Sequence, residues 1–267
     1  MYAISYPGPV PKEAPYAASE FSEVYRNVAW YRDFFREQGH PLGYFAALYA
    51  KVSARVEQAM AEGAFARPDL LQRMDVLFVT EYLRAMHQYL HGQPARQVWR
   101  CALKASERPE VSVLQHLLIA LNAHVHLDLP VATGLACPGE EVQEFKQDFM
   151  FMNDLLYDLM DAVQRDLGQV FWPIYLWNRL MGRADDRIIG IGLKGARHLA
   201  WKQAEMLAMA PTEKYRLGLV AELDQRFVGI GQRLAEPRNP LVRLGMRWMY
   251  WREKGSVADK IDRLTDD

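Results

Sequence analysis

The stretch formed by residues 115–130 concentrates side chains that can bind a metal ion or move a proton. It holds three of the seven histidines, His116, His124 and His126. His124 and Asp128 are four residues apart, so in a helix both side chains project from the same face. An imidazole nitrogen and a carboxylate oxygen at that spacing can share one divalent metal ion. This pair is therefore the first candidate site.

Apolar residues surround these polar ones, which indicates that the helix carrying them is largely buried. A buried polar group costs several kcal/mol unless it has a partner. Two arrangements would satisfy His124 and Asp128. Either the pair binds a metal ion, or it belongs to an internal network in which Asp128 accepts a hydrogen bond from His124 or caps a neighbouring helix. Both alternatives stay open, because buried polar groups with shifted pKa values are often structural.

Further residues on other helices are candidates for completing a metal site around His124 and Asp128. Asp148 lies beside the apolar stripe of its helix, and Glu81 lies between apolar residues of another. We expect one of these carboxylates or His116 to complete the ligand shell. The expected metal is divalent zinc, manganese or iron.

The candidate catalytic residues are Asp148, His116 and Arg197. Asp148 is at the border of an apolar stripe, from which a carboxylate can reach an interior site. Arg197 can anchor an anionic group or pair with Asp128 or Asp148. An equally good interpretation makes Arg197 part of a salt bridge between helices, covered by Trp201.

Helices must position these residues, because helical periodicity runs through the chain and strand signals are nearly absent. Capping residues, glycines and prolines predict where the helices begin and end. The predicted helices span about residues 19–38, 42–62, 69–91, 95–106, 111–127, 140–167, 170–181, 184–209 and 211–234. Two short amphipathic helices follow Pro240 and Gly255. Ser19 is the predicted cap of the first helix, Pro130 ends the fifth, and residues 132–139 form a loop. Pro211 is predicted in the first turn of its helix.

The fold class that follows is all-α, an irregular bundle of roughly ten helices. Residues 1–18 are rich in proline and form an N-terminal arm. Residues 19–267 form a single helical domain, a length that can bury a sizeable core without disulfides.

Charge and composition narrow the function classes. The net charge is −1 and no long basic run is present, so we expect no nucleic-acid partner. Two cysteines, Cys101 and Cys137, fit a reducing compartment. The N-terminus lacks the pattern of a signal peptide, and polar residues interrupt the longest apolar stretch. We therefore expect a cytoplasmic protein.

Two aromatic-rich stretches, residues 170–177 and 241–251, bear on possible partners. The second also carries Arg243 and Arg247, with Arg252 just beyond it. Such a pattern is typical of a helix on a membrane surface or of the wall of an apolar pocket. The favoured interpretation is a core helix and a docked C-terminal helix, because one short basic helix is a weak membrane anchor.

The sequence also resembles the DUF5995 family, a bacterial helical family of unknown function. The resemblance is carried by residues 74–83 and by the run Asn-Ala-His-x-x-x-Asp from Asn122 to Asp128. It continues through Asp148-Phe149, Asn153 and residues 196–201, and covers most of residues 73–237. It implies a helical domain and no particular activity.

Two functional hypotheses follow from these residues. The first is a metal-dependent enzyme that acts on a hydrophobic, lipid-like small molecule. Hydrolysis is preferred over oxygen chemistry, because the Glu-x-x-His pairs of di-iron bundles are absent. The second is a non-catalytic helical protein that binds an apolar ligand or a partner, with the same polar residues as a structural network. The sequence does not indicate an oligomeric state.

Overall fold

The computed structural model describes residues 6–152 and 193–266. Within these two stretches the chain forms ten α-helices, a further helical segment at 141–152 and one π-helical turn, without a β-strand. The predicted all-α, irregular multi-helix bundle is therefore confirmed. The predicted helix at 170–181 lies outside the described residues, as do residues 153–167 of the sixth predicted helix and residues 184–192 of the eighth.

The helices follow one another with short connections. Their bounds are α1 Ser22–Glu37, α2 Leu42–Ala61, α3 Pro68–Leu90, α4 Gln97–Ser106, α5 Val113–Ala123, the π-helical turn His124–Asp128, α6 Leu129–Ala136, α7 Leu193–Ala208, α8 Glu213–Ala235, α9 Pro240–Arg252 and α10 Val257–Thr265. Among the helices of the described stretches, none combines the length and the apolar character needed to cross a membrane.

Two predicted helix starts were wrong. In each case the helix begins two or three residues later than predicted, because the residue expected at its start does not take that position. Ser19 does not cap α1, because its backbone N–H and its hydroxyl both donate to the carboxylate of Glu23. Pro211 lies before α8 rather than in its first turn. Thr212 caps that helix instead, accepting a hydrogen bond from the backbone N–H of Tyr215.

Pro130 does not end a helix, contrary to the prediction. The chain continues from α5 through the π-helical turn into α6, and residues 132–136 of the expected 132–139 loop are helical. Proline lacks a backbone N–H and its ring clashes with the preceding turn of a regular helix. Here Pro130 falls in the first turn of α6, where no such N–H is needed, directly after the widened π-helical turn.

The core consists of two apolar clusters. The larger joins α1, α2 and α4 to the C-terminal helices, and the smaller joins α3, α6, segment 141–152 and α7. At Gly134 the helices α6 and α7 approach so closely that an added Cβ would lie 2.6 Å from the Cβ of Leu207. The N-terminal arm packs on this core, since the backbone N–H of Tyr6 donates to the carbonyl of Tyr89.

Candidate functional site

The π-helical turn holds His124 and Asp128 in direct contact. Nδ1 of His124 lies 3.1 Å from Oδ2 of Asp128. Both residues are buried, with 4 % of His124 and none of Asp128 exposed. π-helical turns inside α-helices are frequent at functional sites. The pair is therefore the centre of the candidate site.

Trp99 on α4 completes the hydrogen bonding of the pair from the opposite side. Its indole Nε1–H donates to the same Oδ2 of Asp128 at 2.9 Å. Sequence reasoning missed this residue, although a buried indole N–H usually requires a partner and gives a signal of that kind. One carboxylate oxygen thus receives both contacts, and Oδ1 of Asp128 receives none from the described residues.

Aromatic rings enclose the imidazole of His124 and form what we call the aromatic chamber. The nearest ring is Phe78, stacked on His124 with 3.8 Å between centroids and 12° between planes. Tyr49 follows at 4.5 Å. The chamber is completed by Phe45 at 5.4 Å, Tyr82 at 6.2 Å and Trp99 at 6.2 Å. Helices α2, α3 and α4 therefore all contribute to the wall around His124.

Four polar atoms of the chamber have unused hydrogen-bonding capacity. They are Nε2 of His124, Oδ1 of Asp128 and the hydroxyls of Tyr49 and Tyr82, each buried and without a partner among the described residues. An unsatisfied buried polar atom costs about 1–3 kcal/mol, and native proteins keep few of them. Nε2 of the imidazole and three such atoms of neighbouring side chains indicate a place where water or the polar group of a ligand can bind.

Burial sets the protonation of these groups. It lowers the pKa of His124 well below its usual value and raises the pKa of Asp128 well above its own. For Asp128, repulsion from Glu81 adds to burial, while Arg96 and the Trp99 hydrogen bond oppose it. Burial also raises the pKa of the Tyr49 and Tyr82 hydroxyls. At neutral pH the imidazole is uncharged, and both tyrosines keep the proton that they can donate.

Asp75 on α3 is a buried carboxyl group that the predicted site does not include. Only 4 % of Asp75 is exposed, and it forms no hydrogen bond with a described residue. Burial, with repulsion from Glu57, raises its pKa to about 7. Its charge also acts on the hydroxyl of Tyr49. Asp75 thus lies near the wall of the aromatic chamber as a carboxyl group that can change protonation near neutral pH.

Glu81 is instead committed to two ion pairs. Its carboxylate lies 2.9 Å from the guanidinium of Arg84 and 3.0 Å from that of Arg96. The apolar residues beside it in sequence suggested an interior position. The Glu81 side chain is 10 % exposed, in keeping with those neighbours, and its carboxylate is paired with the two arginines.

Asp148 lies in segment 141–152 and serves a different part of the fold. Its two carboxylate oxygens accept hydrogen bonds from the backbone N–H groups of Ala66 at 2.9 Å and Arg67 at 2.6 Å. These groups immediately precede α3 and have no partner inside the helix. The expected meeting of Asp148 with His124 and Asp128 is therefore not observed, because the carboxylate binds the start of α3.

His116 is buried two turns before His124, outside the aromatic chamber. Its ring packs 5.6 Å from the ring of Tyr44. Burial lowers its pKa to about 3, with smaller contributions from His40 and Lys260. The helix α7 carries Arg197, whose side chain lies outside the described part of the structure.

Of the four predicted metal ligands, only His124 and Asp128 are brought together. Across residues 6–152 and 193–266, no group of three or more His, Cys, Asp or Glu side chains is arranged to hold a metal ion. The geometry on hand is that of an Asp–His pair with one free imidazole nitrogen. Such a pair can accept a proton at Nε2, or can bind a ligand atom there.

Comparison with known families places the chain. A model of a family of unknown function matches residues 21–237. The chain belongs to the DUF5995 family. The DUF5995 match contains the π-helical turn, Trp99 and every residue of the aromatic chamber, and it stops before α9. Comparison with curated proteins and with solved structures gives no match.

Proposed function

We propose that this protein binds a hydrophobic, lipid-like small molecule in the aromatic chamber and hydrolyses it, with His124 as the general base. The observation that carries the proposal is the free Nε2 of His124, held in an uncharged imidazole beside Asp128 and surrounded by other buried polar atoms without described partners. A base must have an open lone pair within reach of the proton that it removes.

The Asp–His contact gives the imidazole a defined orientation. In the proposed reaction the Nδ1–H of His124 donates to Asp128, 3.1 Å away, and this tautomer leaves the lone pair on Nε2. In the reaction, Nε2 takes a proton from water while the water oxygen bonds to the electrophilic carbon of an ester-like group. The bond from that carbon to the leaving oxygen then breaks, and the imidazolium returns the proton to the leaving oxygen. An acid and an alcohol are the products.

The tyrosine hydroxyls can stabilise the negative charge that develops during hydrolysis. Negative charge develops on the carbonyl oxygen as water attacks, and hydrogen-bond donors aimed at that oxygen lower the barrier. The hydroxyls of Tyr49 and Tyr82 retain their protons and have no described acceptor. The ring walls favour an apolar acyl group over a charged substrate.

Access to the chamber is through a thin wall. Phe78 covers one face of His124 and is itself 8 % exposed, so the imidazole lies one side chain below the surface. Movement of this ring about its side-chain torsions would open the chamber.

A metal ion at this site would be bound by the same atoms. Nε2 of His124 and Oδ1 of Asp128 are the free donors, and zinc, manganese and iron all accept nitrogen and oxygen ligands. Catalytic zinc sites usually have three protein ligands. Since two are at hand among the described residues, the proposed base catalysis does not depend on a metal.

A second candidate function has its own supporting observation. The pair is completely buried, and Asp128 receives a hydrogen bond from Trp99 as well as the contact with His124. A network of this kind can fix the register of α4 against the π-helical turn without any reaction. In that case the protein binds an apolar ligand in the chamber, or a partner elsewhere, and is not catalytic.

Ester hydrolysis with matched histidine variants tests the first proposal. We would measure release of nitrophenol from nitrophenyl esters with short and long acyl chains. We expect His124→Gln to lower kcat/KM by about 10²–10⁴-fold, the contribution of a general base. His116→Gln is the control, because it replaces another buried histidine of the same helical stretch outside the chamber. Equal activity in both variants would contradict the role of His124.

Ligand binding separates the two candidate functions. One outcome is a wild-type protein that hydrolyses no ester but binds a fluorescent fatty acid. If Phe78→Trp then weakens that binding, the result supports the non-catalytic function. If the wild-type protein does neither, hydrolysis and the binding of an apolar ligand in the chamber are both contradicted. Elemental analysis of wild-type protein and His124→Ala, with melting curves with and without chelator, tests for zinc, manganese or iron.

We also propose a cytoplasmic location, supported by two buried, unpaired cysteines.

A further inference from the structure

The helix α9 is apolar on two opposite sides. Val242, Met246 and Met249 are buried against the rest of the fold. Four large side chains on the opposite side face solvent, and we call them the outer face of α9: Leu241, Leu244, Trp248 and Trp251, exposed by 66 %, 60 %, 53 % and 63 %. Their spacing of three, four and three residues places them in one stripe along the helix.

Such a stripe is unusual on a surface helix. Surface helices normally bury one apolar side and present charged or polar residues on the other. Contiguous exposed apolar patches usually mark a site that something else covers. Two tryptophans are especially informative, since their rings are apolar while the indole N–H remains able to bond to water or to a lipid headgroup.

Arginines flank the outer face on both sides. The guanidinium of Arg247 lies 5.0 Å from the ring centre of Trp251, and that of Arg252 lies 5.0 Å from the ring centre of Trp248. Arg243 lies one turn before Arg247. No carboxylate within the described stretches forms an ion pair with any of these three arginines, although Arg247 does help to lower the pKa of Glu110. The outer face therefore combines exposed indoles with unpaired positive charge.

We propose that α9 is a peripheral docking helix for an anionic lipid bilayer. Leu241, Leu244 and the two indoles would enter the interface between headgroups and acyl chains, the region that tryptophan prefers. The arginines would lie at the level of the lipid phosphates, where each basic residue contributes to binding. A helix of thirteen residues buries little area, so the binding is weak, reversible and sensitive to salt.

Charge favours a bilayer over a second copy of the chain as the occupant. A two-fold pairing of outer faces would bring Arg243, Arg247 and Arg252 of one copy against the same residues of the other. The described residues offer no carboxylate on this helix to offset that repulsion, because Glu253 at its end already binds Lys260. An anionic surface offsets the charge instead.

Vesicle co-sedimentation of the full-length protein tests this proposal independently of the proposed hydrolysis, because no residue of the aromatic chamber is changed. The probes are vesicles of pure phosphatidylcholine and vesicles of equal parts phosphatidylcholine and phosphatidylglycerol. We expect the wild-type protein to sediment with the anionic vesicles, and salt to release it. Trp248→Ser/Trp251→Ser should weaken binding at least about tenfold, since two indoles leave the interface.

Two further variants make the result specific. Arg243→Gln/Arg252→Gln should also weaken binding by about tenfold or more, because each basic residue near an anionic surface contributes to binding. Tyr215→Ser/Leu217→Ser is the matched control, because these α8 residues are 54 % and 60 % exposed and apolar but lie on another helix. It should bind as the wild type does. Melting curves confirm that each variant is folded.

Three results would overturn the proposal. The first is a wild-type protein that sediments with neither kind of vesicle. The second is equal binding by the wild type and the double tryptophan variant. The third is light scattering that shows a dimer in the wild type and a monomer in the tryptophan variant, which would make the outer face a contact between copies.

Discussion

The ring of Phe78 lies flat on the imidazole of His124, with 3.8 Å between their centroids. Phe78 belongs to α3, whereas His124 belongs to the π-helical turn, so the stack joins two elements far apart in sequence. The rest of His124 is enclosed by rings of α2 and α4. Phe78 is buried but is the most exposed of these rings, at 8 %, so the stack both stabilises the histidine and covers it.

Removal of the Phe78 ring should uncover His124. We expect Phe78→Ala to lower the free energy of unfolding by about 3–5 kcal/mol, the usual loss for a buried phenylalanine. It should also increase the rate at which diethyl pyrocarbonate modifies His124, measured by mass spectrometry of that peptide. Phe145→Ala is the control, since it empties a fully buried position packed against Phe149. Equal labelling of His124 in both variants would show that Phe78 is not its cover.

The hydrogen bond from Trp99 to Asp128 can be removed while the ring is largely kept. We expect Trp99→Phe to destabilise the fold by about 1–3 kcal/mol beyond its loss of packing, because the buried carboxyl group of Asp128 loses a hydrogen-bond donor. Trp201→Phe is a matched control, since its buried Nε1 has no hydrogen-bond partner among the described residues. Urea unfolding of both variants gives the difference. Equal losses would mean that the Trp99 bond contributes nothing net.

The helices and the His124–Asp128 contact follow from local patterns, and this explains why the sequence indicates them. Periodicity gives the helical spans, and a separation of four residues gives the contact whether the local turn is α- or π-helical. The prediction that Pro130 ends a helix was wrong, because the effect of this proline depends on the π-helical turn before it. That turn depends on tertiary packing that no local signal reports.

The remaining errors concern partners distant in sequence. Glu81 and Asp75 both lie on α3, and the position of Arg96, outside that helix, helps to decide that Glu81 is paired with arginines whereas Asp75 is buried without an ion pair among the described residues. Asp148 was assigned to the wrong partner, because the backbone N–H groups that it binds lie 81 and 82 residues away. Trp99 was missed for the same reason. Such contacts depend on how whole helices pack, which a single sequence does not specify residue by residue.

Asp148 should be important for stability and unimportant for the proposed chemistry. We expect Asp148→Ala to lower the free energy of unfolding by about 1–3 kcal/mol, because two backbone N–H groups before α3 lose their acceptor. Glu144→Ala, one turn earlier, removes only an exposed ion pair with Arg67 and should cost at most about 1 kcal/mol. Thermal and urea unfolding measure both. A loss of ester hydrolysis in folded Asp148→Ala would show that this residue takes part in the proposed chemistry.

His116 should make the fold sensitive to acid. Its pKa is about 3 in the folded chain and near 6.5 when exposed, so the unfolded chain binds the proton first. Its contribution to stability is complete above pH 6.5 and declines as the pH falls toward 3. At 1.36 kcal/mol per pKa unit, the wild type should lose roughly 3 kcal/mol from this residue by pH 4. His116→Gln should lack that loss, and parallel stability curves for the two proteins would contradict the assignment.

Asp75 should produce a pH dependence of the opposite sign. Its pKa rises from 3.8 when exposed to about 7 in the fold, so the folded chain binds the proton more tightly. The stabilisation is complete below pH 3.8 and is lost as the pH rises to 7. Asp75→Asn keeps the shape without the charge, so its stability relative to the wild type should increase over this interval. The gain should level off above pH 7, at up to roughly 4 kcal/mol by the same conversion.

Urea unfolding of wild type and Asp75→Asn at a series of pH values measures that difference directly. Asp69→Asn is the control, because Asp69 lies on the same helix, is exposed and pairs with Arg67. Its difference from the wild type should not increase between pH 4 and 7. A flat difference for Asp75→Asn as well would mean that a cation or water reaches this carboxylate and keeps it ionised in the fold. The wall of the aromatic chamber near Tyr49 would then be wet, and its apolar character would no longer support a lipid-like ligand there.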